Sequence, residues 1–229
     1  MFEILKGLDY TPFLVSLKLA SLTTFALFII CVPLAFFMAR KNFRGKSVIE
    51  SIISLPLVLP PSVLGFYLLV FLSPYSVLGE FFDKHFGLRL VFNFSGLVIA
   101  SCIYSLPFMF SPLVSGFRSL PRSLFWACDS LGKGYFSKLF RVALPAIRHS
   151  LLSALVICFA HTMGEFGVVL MIGGSVSEQT KVASIAIYEA TETLDFARAH
   201  AYSALMLLFS FAVLLIMHFL GAKGAKIQA

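Results

Sequence analysis

The chain has 229 residues, of which 59% are hydrophobic and only 13% are charged, whereas about a quarter of the residues of a soluble domain carry charge. The apolar residues form uninterrupted stretches long enough to cross about 30 Å of hydrocarbon. These features exclude a soluble globular protein. The formal charge of +7 is concentrated in the segments between apolar stretches, which argues for a role in membrane orientation and against nucleic-acid binding.

Five apolar stretches predict an all-α, polytopic membrane protein that forms a single transmembrane domain over residues 1–229. They cover approximately residues 13–39, 51–72, 92–117, 151–174 and 201–222. The first stretch is too long for the core of a signal peptide, and no basic cluster precedes it, so we expect it to be retained as a span. Lys18 in the first stretch and Glu165 in the fourth are isolated charged residues.

The basic residues predict the orientation of these spans. Residues 40–46, residues 118–148 and the tail after residue 222 contain 12 of the 18 Lys and Arg residues, and the opposite segments contain five. The positive-inside rule therefore predicts that the N-terminus lies outside and the C-terminus lies in the cytoplasm. Residues 118–149 then form a cytoplasmic loop.

The second stretch contains Pro56, Pro60 and Pro61, followed by Ser62 and Gly65. Each proline removes a backbone donor and interrupts the helix. Irregular backbone at membrane depth is tolerated only against protein or a water-filled cavity. This segment is therefore expected to line a pathway, where a new helix N-terminus would face an anion. The alternative is a kinked helix that only shapes the contacts between spans.

The loop at residues 118–149 is basic and has a helix, glycine, helix, proline layout. Helices are predicted from Leu124 to Leu131 and from Tyr135 to Val142, with Gly132 in the left-handed conformation between them. Pro145 stands where the next helix would begin. An exposed apolar face would let this loop dock on another protein. Alternatively, the loop lies on the bilayer surface, with its basic residues on anionic lipid.

Glu165, between Gly164 and Gly167, is an acid within a predicted span, which usually marks function or buried pairing. An acid would repel an oxyanion, so Glu165 is not expected to be a substrate ligand. Two hypotheses remain: it pairs with Lys18, or it caps backbone amides freed near the two glycines. Lys18 could instead extend to the outer surface. His161 lies on the same helical face as Glu165, which is compatible with a proton relay or with an ordinary polar contact.

Two segments on the predicted outer side, residues 73–89 and 181–200, are amphipathic. The second is predicted to be a short surface helix before the last span. Either segment could contact an extracytoplasmic partner, or it could be a connector lying in the membrane interface.

Three motifs in this order resemble those of importer-type ABC permeases. In the loop, Trp126-Ala127-Cys128, Gly132 and Val142-x-Leu144-Pro145 keep the spacing of the family pattern E-A-A, Gly, I-x-L-P, with departures at Trp126 and Cys128. The segment from Leu55 to Leu69 resembles the second span of molybdate ABC permeases. Gly164-Glu165-Phe166-Gly167 is similar to the GE(F/Y)G of molybdate and sulfate permeases.

The resemblance implies that the loop docks in a groove of an ATPase subunit. The residues expected in this coupling loop are Trp126, Ala127, Cys128, Asp129, Gly132, Val142, Leu144 and Pro145. The residues expected along the translocation pathway or its gate are Pro56, Pro60, Pro61, Ser62, Gly65, Gly164, Glu165 and Gly167.

The family resemblance implies a transmembrane subunit of an ATP-driven importer for an oxyanion, with molybdate as the first candidate. A sulfate, thiosulfate or tungstate permease is the alternative within the class. A proton-coupled secondary transporter using His161 and Glu165, or a membrane scaffold, would be a different class. The expected partners are a second copy of the chain, ATPase subunits, an extracytoplasmic oxyanion-binding protein and lipid, in the bacterial inner membrane.

No catalytic or metal site is expected in the chain itself. It contains no phosphate-binding loop, no metal-ligand spacing and no nucleophile–base pair. Cys31, Cys102, Cys128 and Cys158 are far apart and form no CxxC. The chain is therefore expected to be no enzyme and to bind no cofactor, while ATP and Mg²⁺ are used by the partner ATPase.

Overall fold

The computed structural model describes the backbone of residues 7–225 and the side chains of residues 7–215. Residues 1–6 and 226–229, at the two ends of the predicted domain, lie outside the described residues, as do the side chains at the end of the fifth predicted span. Within residues 7–225 the regular structure is entirely helical, which confirms the predicted fold class. The helices are α1 (Thr11–Arg40), α2 (Lys46–Ser54), α3 (Pro61–Leu72), α4 (Val77–Phe86), α5 (Phe94–Ser119), α6 (Arg122–Ser130), α7 (Tyr135–Ala146), α8 (Arg148–Met163), α9 (Gly167–Gly173), α10 (Ala183–Glu192) and α11 (Phe196–Ala225).

Three of these helices are long and apolar enough to cross a membrane unaided: α1, α5 and the Phe196–Leu215 part of α11. Two further helical segments are sharply bent. Lys46–Leu57 meets α3 at 108°, and α7 meets α8 at 82°. If each bent pair is one span, the described residues contain up to five spans, which equals the predicted number. The second pair joins α8 to α7, however, whereas the fourth predicted span, residues 151–174, covers α8 and α9.

The structure breaks both the second and the fourth predicted spans: an interruption was predicted for the second, at its prolines, but none was predicted for the fourth. The second ends in a short 3₁₀ turn at Leu55–Leu57, and α3 then begins at Pro61 after Pro60, which is extended at φ −55° and ψ 135°. Because neither proline can donate a backbone hydrogen bond, the helix cannot continue through them. The resulting α3 has 12 residues and is about 18 Å long, which is shorter than the hydrocarbon core.

The fourth predicted span is divided at residues 164–166. The helix α8 ends where the backbone N–H of Gly164 donates to the carbonyls of Ala160 and His161, both at 3.2 Å. Phe166 then adopts φ −126° and ψ −63°, and α9 starts at Gly167. Glu165 therefore lies in a break between two helices. The prediction that it shares a helical face with His161 is wrong.

The core of the bundle has two layers. The layer nearer the α6–α7 loop joins the second half of α1, the second half of α5, α7 and the first half of α8, around Phe36, Leu113, Phe117 and Leu139. The other layer joins the first halves of α1 and α5 to α9 and α10, around Leu19, Leu97 and Ile185. The short surface helix predicted before the last span is present as α10, whose apolar side is buried by this second layer.

Candidate functional site

The broken segments α3 and α9 pack directly on each other. A Cβ added to Gly167 would lie 2.8 Å from the Cβ of Pro61, and one added to Gly65 would lie 2.9 Å from the Cβ of Met171. Both distances are shorter than carbon atoms tolerate, so the two glycines permit the close approach of the two helices. The proline motif of the second stretch and the Gly-Glu-Phe-Gly motif of the fourth thus form one structural unit, the α3–α9 junction.

The start of α3 is the open side of this junction. Pro60, Pro61 and Ser62 are exposed, so the N-terminus of α3 faces outward from the chain. Pro61 has no backbone N–H, and the N–H groups of Val63 and Leu64 donate to the Pro60 carbonyl at 3.0 and 3.1 Å, so the Ser62 N–H is the backbone donor available at this helix end, which carries partial positive charge. Ser62 adds a hydroxyl at the same place. This end of α3 is therefore suited to contact a passing anion.

Glu165 is 4% exposed, and neither carboxyl oxygen has a hydrogen-bond partner among the described residues. The hydroxyl of Ser101 on α5 is close to the Glu165 carboxyl. The distance and angles between them do not meet the criteria for a hydrogen bond, so the Ser101 hydroxyl also has no partner among the described residues. Both specific hypotheses for Glu165 are therefore wrong in this conformation: it neither pairs with Lys18 nor caps the amides near Gly164 and Gly167. It is a buried carboxyl that contributes shape and local polarity to the break.

Lys18 lies away from Glu165. Its Nζ is 4.7 Å from the centroid of the Phe94 ring, at the start of α5, and the residue is exposed. A cation over an aromatic face is stabilised by the ring quadrupole. The position agrees with the alternative prediction that Lys18 extends toward the surface.

His161 is held by α5 and not by Glu165. Its Nδ1 is 3.0 Å from the hydroxyl of Ser105, and its ring stacks on Phe108 with centroids 3.8 Å apart. The same Ser105 hydroxyl is 2.9 Å from the hydroxyl of Thr162. These contacts form a closed polar cluster between α5 and α8, and they support the simpler of the two predictions for His161.

The break at residues 164–166 is also held from α10. The hydroxyl of Ser184 donates to the carbonyl oxygen of Glu165 at 2.6 Å, and the ring of Tyr188 lies 5.1 Å from that of Phe166. The N-terminus of α10 is in turn fixed to α1, because the Ala183 N–H donates to the hydroxyl of Ser16 at 2.9 Å. No sequence pattern indicated these contacts, since they join residues far apart in the chain.

The helices α6 and α7 are joined by the predicted turn at Gly132. Gly132 adopts φ +65°, the left-handed conformation that favours glycine. The turn is closed by hydrogen bonds from the Gly132 N–H to the Asp129 carbonyl at 2.9 Å and from the Lys133 N–H to the Cys128 carbonyl at 3.0 Å. An ion pair between Lys138 and Asp129 also joins the two helices.

This pair of helices is anchored to the end of α1. The hydroxyl of Tyr135 donates to the carbonyl of Pro33 at 3.1 Å, and the guanidinium carbon of Arg40 lies 3.3 Å from the centroid of the Phe125 ring. Leu139 is fully buried in the core layer beneath. Movement of the α6–α7 pair would therefore be transmitted to α1 and α5.

The outer face of the α6–α7 pair is apolar and exposed. Trp126, Leu131 and Phe136 are 66%, 72% and 70% exposed, and Phe140 stacks parallel to Phe136. We call these exposed side chains, Trp126, Leu131, Phe136 and Phe140, the aromatic surface; Lys133 and Arg141 are exposed residues close to them in the sequence. An apolar patch with a charged border is typical of a protein-binding surface.

Some of the predicted site residues are exposed and others are buried. Within the predicted coupling loop, the exposed residues are Trp126, Ala127, Asp129, Gly132 and Pro145, whereas Val142 and Leu144 are partly buried and Cys128 is buried. Pro145 lies within the last turn of α7, after a π-helical turn at Lys138–Ala143, and the next helix begins at Arg148. Within the predicted pathway, Pro60, Pro61, Ser62 and Gly164 are exposed, Gly167 is partly buried, and Pro56, Gly65 and Glu165 are buried.

Comparisons with known proteins agree on one family. The family model described as binding-protein-dependent transport system inner membrane component matches residues 31–223. The molybdenum transport system permease protein ModB of Azotobacter vinelandii is 41% identical over 211 residues, which are 92% of this chain and 93% of that protein. The sulfate transport system permease protein CysT of Synechocystis is 29% identical, over 84% of this chain and 67% of that protein.

Solved structures give the same fold. A bacterial alginate ABC transporter, solved in complex with an alginate-bound periplasmic protein, contains a chain that superimposes with a TM-score of 0.69 at 19% identity. The alignment covers 95% of this chain and 78% of that one.

Proposed function

Because the chain belongs to the family of binding-protein-dependent transport system inner membrane components, we propose that it forms the membrane pathway of an ATP-driven importer for molybdate. The observation that carries the choice of molybdate is the 41% identity to a molybdenum permease, which extends over nearly the whole length of both chains. The identity to a sulfate permease is 29%, and that protein is longer.

The α3–α9 junction supports a pathway for an oxyanion. It presents an exposed helix N-terminus, with the backbone N–H and the hydroxyl of Ser62, where the two interrupted spans meet. No lysine or arginine of the described residues lies in the middle of a span. Without a deep charge trap the pathway would bind its ion weakly and release it readily. Selectivity then belongs mainly to an extracytoplasmic binding protein.

The aromatic surface is the proposed docking site for an ATPase subunit. It is exposed, it lies next to a turn fixed by Gly132, and it is anchored to α1 through Tyr135 and Arg40. The basic residues of this end support a cytoplasmic position for it by the positive-inside rule. Closure of the ATPases around ATP and Mg²⁺ would push on the α6–α7 pair, and the attached spans would rock between outward and inward access.

Two further partners follow from this arrangement. A second copy of the chain would complete the pathway. Only 11% of the most apolar part of α11 is buried, so this helix leaves a broad apolar face for a protein or lipid neighbour. On the opposite side, α10 contacts both α1 and the break at residues 164–166. A binding protein seated on α10 would therefore act on the pathway directly. In this scheme the protein is a subunit of the bacterial inner membrane that performs no catalysis itself.

The contacts of His161 disfavour the proton-coupled alternative. A relay between His161 and Glu165 needs a hydrogen bond or a water path between them, but His161 bonds to Ser105 and the Glu165 oxygens have no partner among the described residues. His161 lies in α8 against Ser105 and Phe108, whereas Glu165 lies in the break that follows α8.

The test is reconstitution of the chain in proteoliposomes with its ATPase subunit and oxyanion-binding protein. We expect uptake of radiolabelled molybdate that requires ATP and Mg²⁺, persists when the proton gradient is collapsed, and is not displaced by a tenfold excess of sulfate. Stronger uptake of sulfate than of molybdate would reassign the substrate. Uptake without the ATPase, driven by a proton gradient, would refute the importer assignment.

A further inference from the structure

A cavity of about 230 Å³ lies between α2 and α5, at the end of the bundle next to the α6–α7 loop. Its polar lining comprises Glu50 and Ser54 on α2, and Ser111, Ser115 and Arg118 on α5. The three α5 residues follow one another at intervals of four and three residues, so they share one face over about two helical turns. The cavity is much larger than one water molecule requires.

The three serine hydroxyls of this cavity are unused. Within the described part of the chain, the hydroxyls of Ser54, Ser111 and Ser115 have no protein partner, and Ser111 and Ser115 are exposed. Helical serines commonly satisfy their hydroxyl on a carbonyl of the preceding turn. Two neighbours outside the cavity do so: Ser51 donates to the Ser47 carbonyl and Ser119 to the Gly116 carbonyl, both at 2.8 Å. The cavity hydroxyls therefore remain available as donors to a ligand.

Arg118 supplies positive charge to the same cavity. Its guanidinium forms an ion pair with Glu50 through one terminal nitrogen, and its side chain is 46% exposed. A guanidinium has five N–H donors, so most of them remain free. The floor is apolar, since Phe110 and Val114 are buried beneath the polar residues.

We propose that this cavity is a binding site for a tetrahedral oxyanion, occupied by the transported ion as it leaves the pathway on the cytoplasmic side. The identity and direction of the ion rest on the proposed function. Arg118 provides a fork of donors, and the hydroxyls of Ser54, Ser111 and Ser115 bind the remaining oxygens. Glu50 opposes the ion and competes for Arg118, so the site binds weakly and releases its ion as the Glu50–Arg118 pair re-forms.

A lipid phosphate headgroup offers the same oxygen chemistry, and the experiment separates the two sources. The full chain is placed in nanodiscs of zwitterionic phosphatidylcholine, and equilibrium binding of radiolabelled molybdate is measured. We expect saturable binding that weakens about tenfold or more in Arg118→Gln and roughly threefold in Ser115→Ala. Glu50→Gln is expected to bind several-fold more tightly, because it removes the competing carboxylate.

Two variants serve as matched controls. Arg44→Gln removes a cytoplasmic-side cation outside the cavity, and Ser119→Ala removes a hydroxyl that already has a partner. Both are expected to bind molybdate like the unmodified chain. Equal weakening in Arg44→Gln and Arg118→Gln would mean that only overall charge matters, and would overturn the site. Because Glu50→Gln is predicted to gain affinity, a misfolded variant cannot imitate the expected result.

The lipid arm repeats the measurement with anionic phosphatidylglycerol and identifies retained lipid by native mass spectrometry. Phosphatidylglycerol held through Arg118, with no molybdate binding in either disc, would overturn the assignment to the transported ion. Transport in proteoliposomes is measured in parallel. If molybdate is transported without Arg118-dependent binding, the cavity proposal fails alone. If sulfate is the transported and bound ion, only the choice of molybdate fails.

Discussion

The α3–α9 junction makes a sharp prediction through two glycines of one motif. In Gly167→Ala the new methyl group would lie 2.8 Å from the Cβ of Pro61, in the ring that starts α3, and 3.6 Å from the Pro61 carbonyl carbon. In Gly164→Ala the nearest atoms are carbonyl oxygens at 3.7 and 3.9 Å, which are ordinary contacts. Neither glycine has a positive φ, so neither substitution strains the backbone itself.

Overpacking of a well-packed site costs about 1–3 kcal/mol. Replacing glycine with alanine also removes freedom from the unfolded chain, which stabilises by about 0.4–1 kcal/mol in both variants. The difference between the two variants therefore reports the clash alone, and we expect Gly167→Ala to be less stable than Gly164→Ala by about 1–3 kcal/mol. For a chain of this size that corresponds to a melting temperature lower by about 2–4 °C per kcal/mol.

The measurements are the apparent melting temperature of the purified chain in one detergent and molybdate uptake in proteoliposomes. Gly164→Ala should retain both properties. Gly167→Ala should melt earlier and transport more slowly, because α3 must shift away from α9 and displace the helix N-terminus at the junction. Equal melting temperatures and equal uptake in the two variants would refute close contact between Gly167 and Pro61.

Three further predictions concern the loop and the isolated charges. Gly132→Val, which forces a β-branched residue to φ +65°, should abolish assembly with the ATPase in pull-down measurements, whereas Gly134→Ala, at φ −70°, should assemble normally. Trp126→Ala should weaken ATPase binding by about 2 kcal/mol, measured by titration, with the melting temperature unchanged because the side chain is 66% exposed. The losses of stability in Glu165→Gln and Lys18→Met should add within about 0.5 kcal/mol in the double variant, because the two groups are not in contact. A larger coupling energy would support the ion pair between them.

The number of spans and the α6–α7 turn could be predicted because each depends on local sequence. The length of an apolar stretch decides whether it can cross the membrane, and Gly132 can end a helix whatever the surroundings of that helix are. The break at Pro60 and Pro61 could also be predicted, because a proline lacks a backbone N–H and interrupts a helix in any surroundings. The prolines indicated a kink, but the 108° angle depends on how α2 packs against α5 and was beyond the sequence.

The break at residues 164–166 was missed for a physical reason. Gly164 and Gly167 weaken a helix, but single glycines occur in many continuous spans. The break is stabilised by contacts from elsewhere: the Ser184 hydroxyl on the Glu165 carbonyl, and Pro61 against Gly167. The expected partner of Glu165 was wrong for the same reason. Counting residues along the two predicted spans puts Lys18 and Glu165 at a similar depth in the membrane. Depth alone does not determine which faces of the two helices are in contact.

Each of the two helix breaks is held by contacts from neighbouring helices. On one side, α10 holds the break at residues 164–166 through Ser184 and Tyr188. Across the junction, α3 follows α2 through the bend at Pro60, and α2 is tied to the end of α5 by the Glu50–Arg118 pair. Backbone hydrogen bonds are missing at both breaks, so bending there costs less than bending a continuous helix. Under the proposed importer function, a push on α10 would act on the break at residues 164–166, and a push on the α6–α7 pair would act first on α1 through Tyr135 and Arg40.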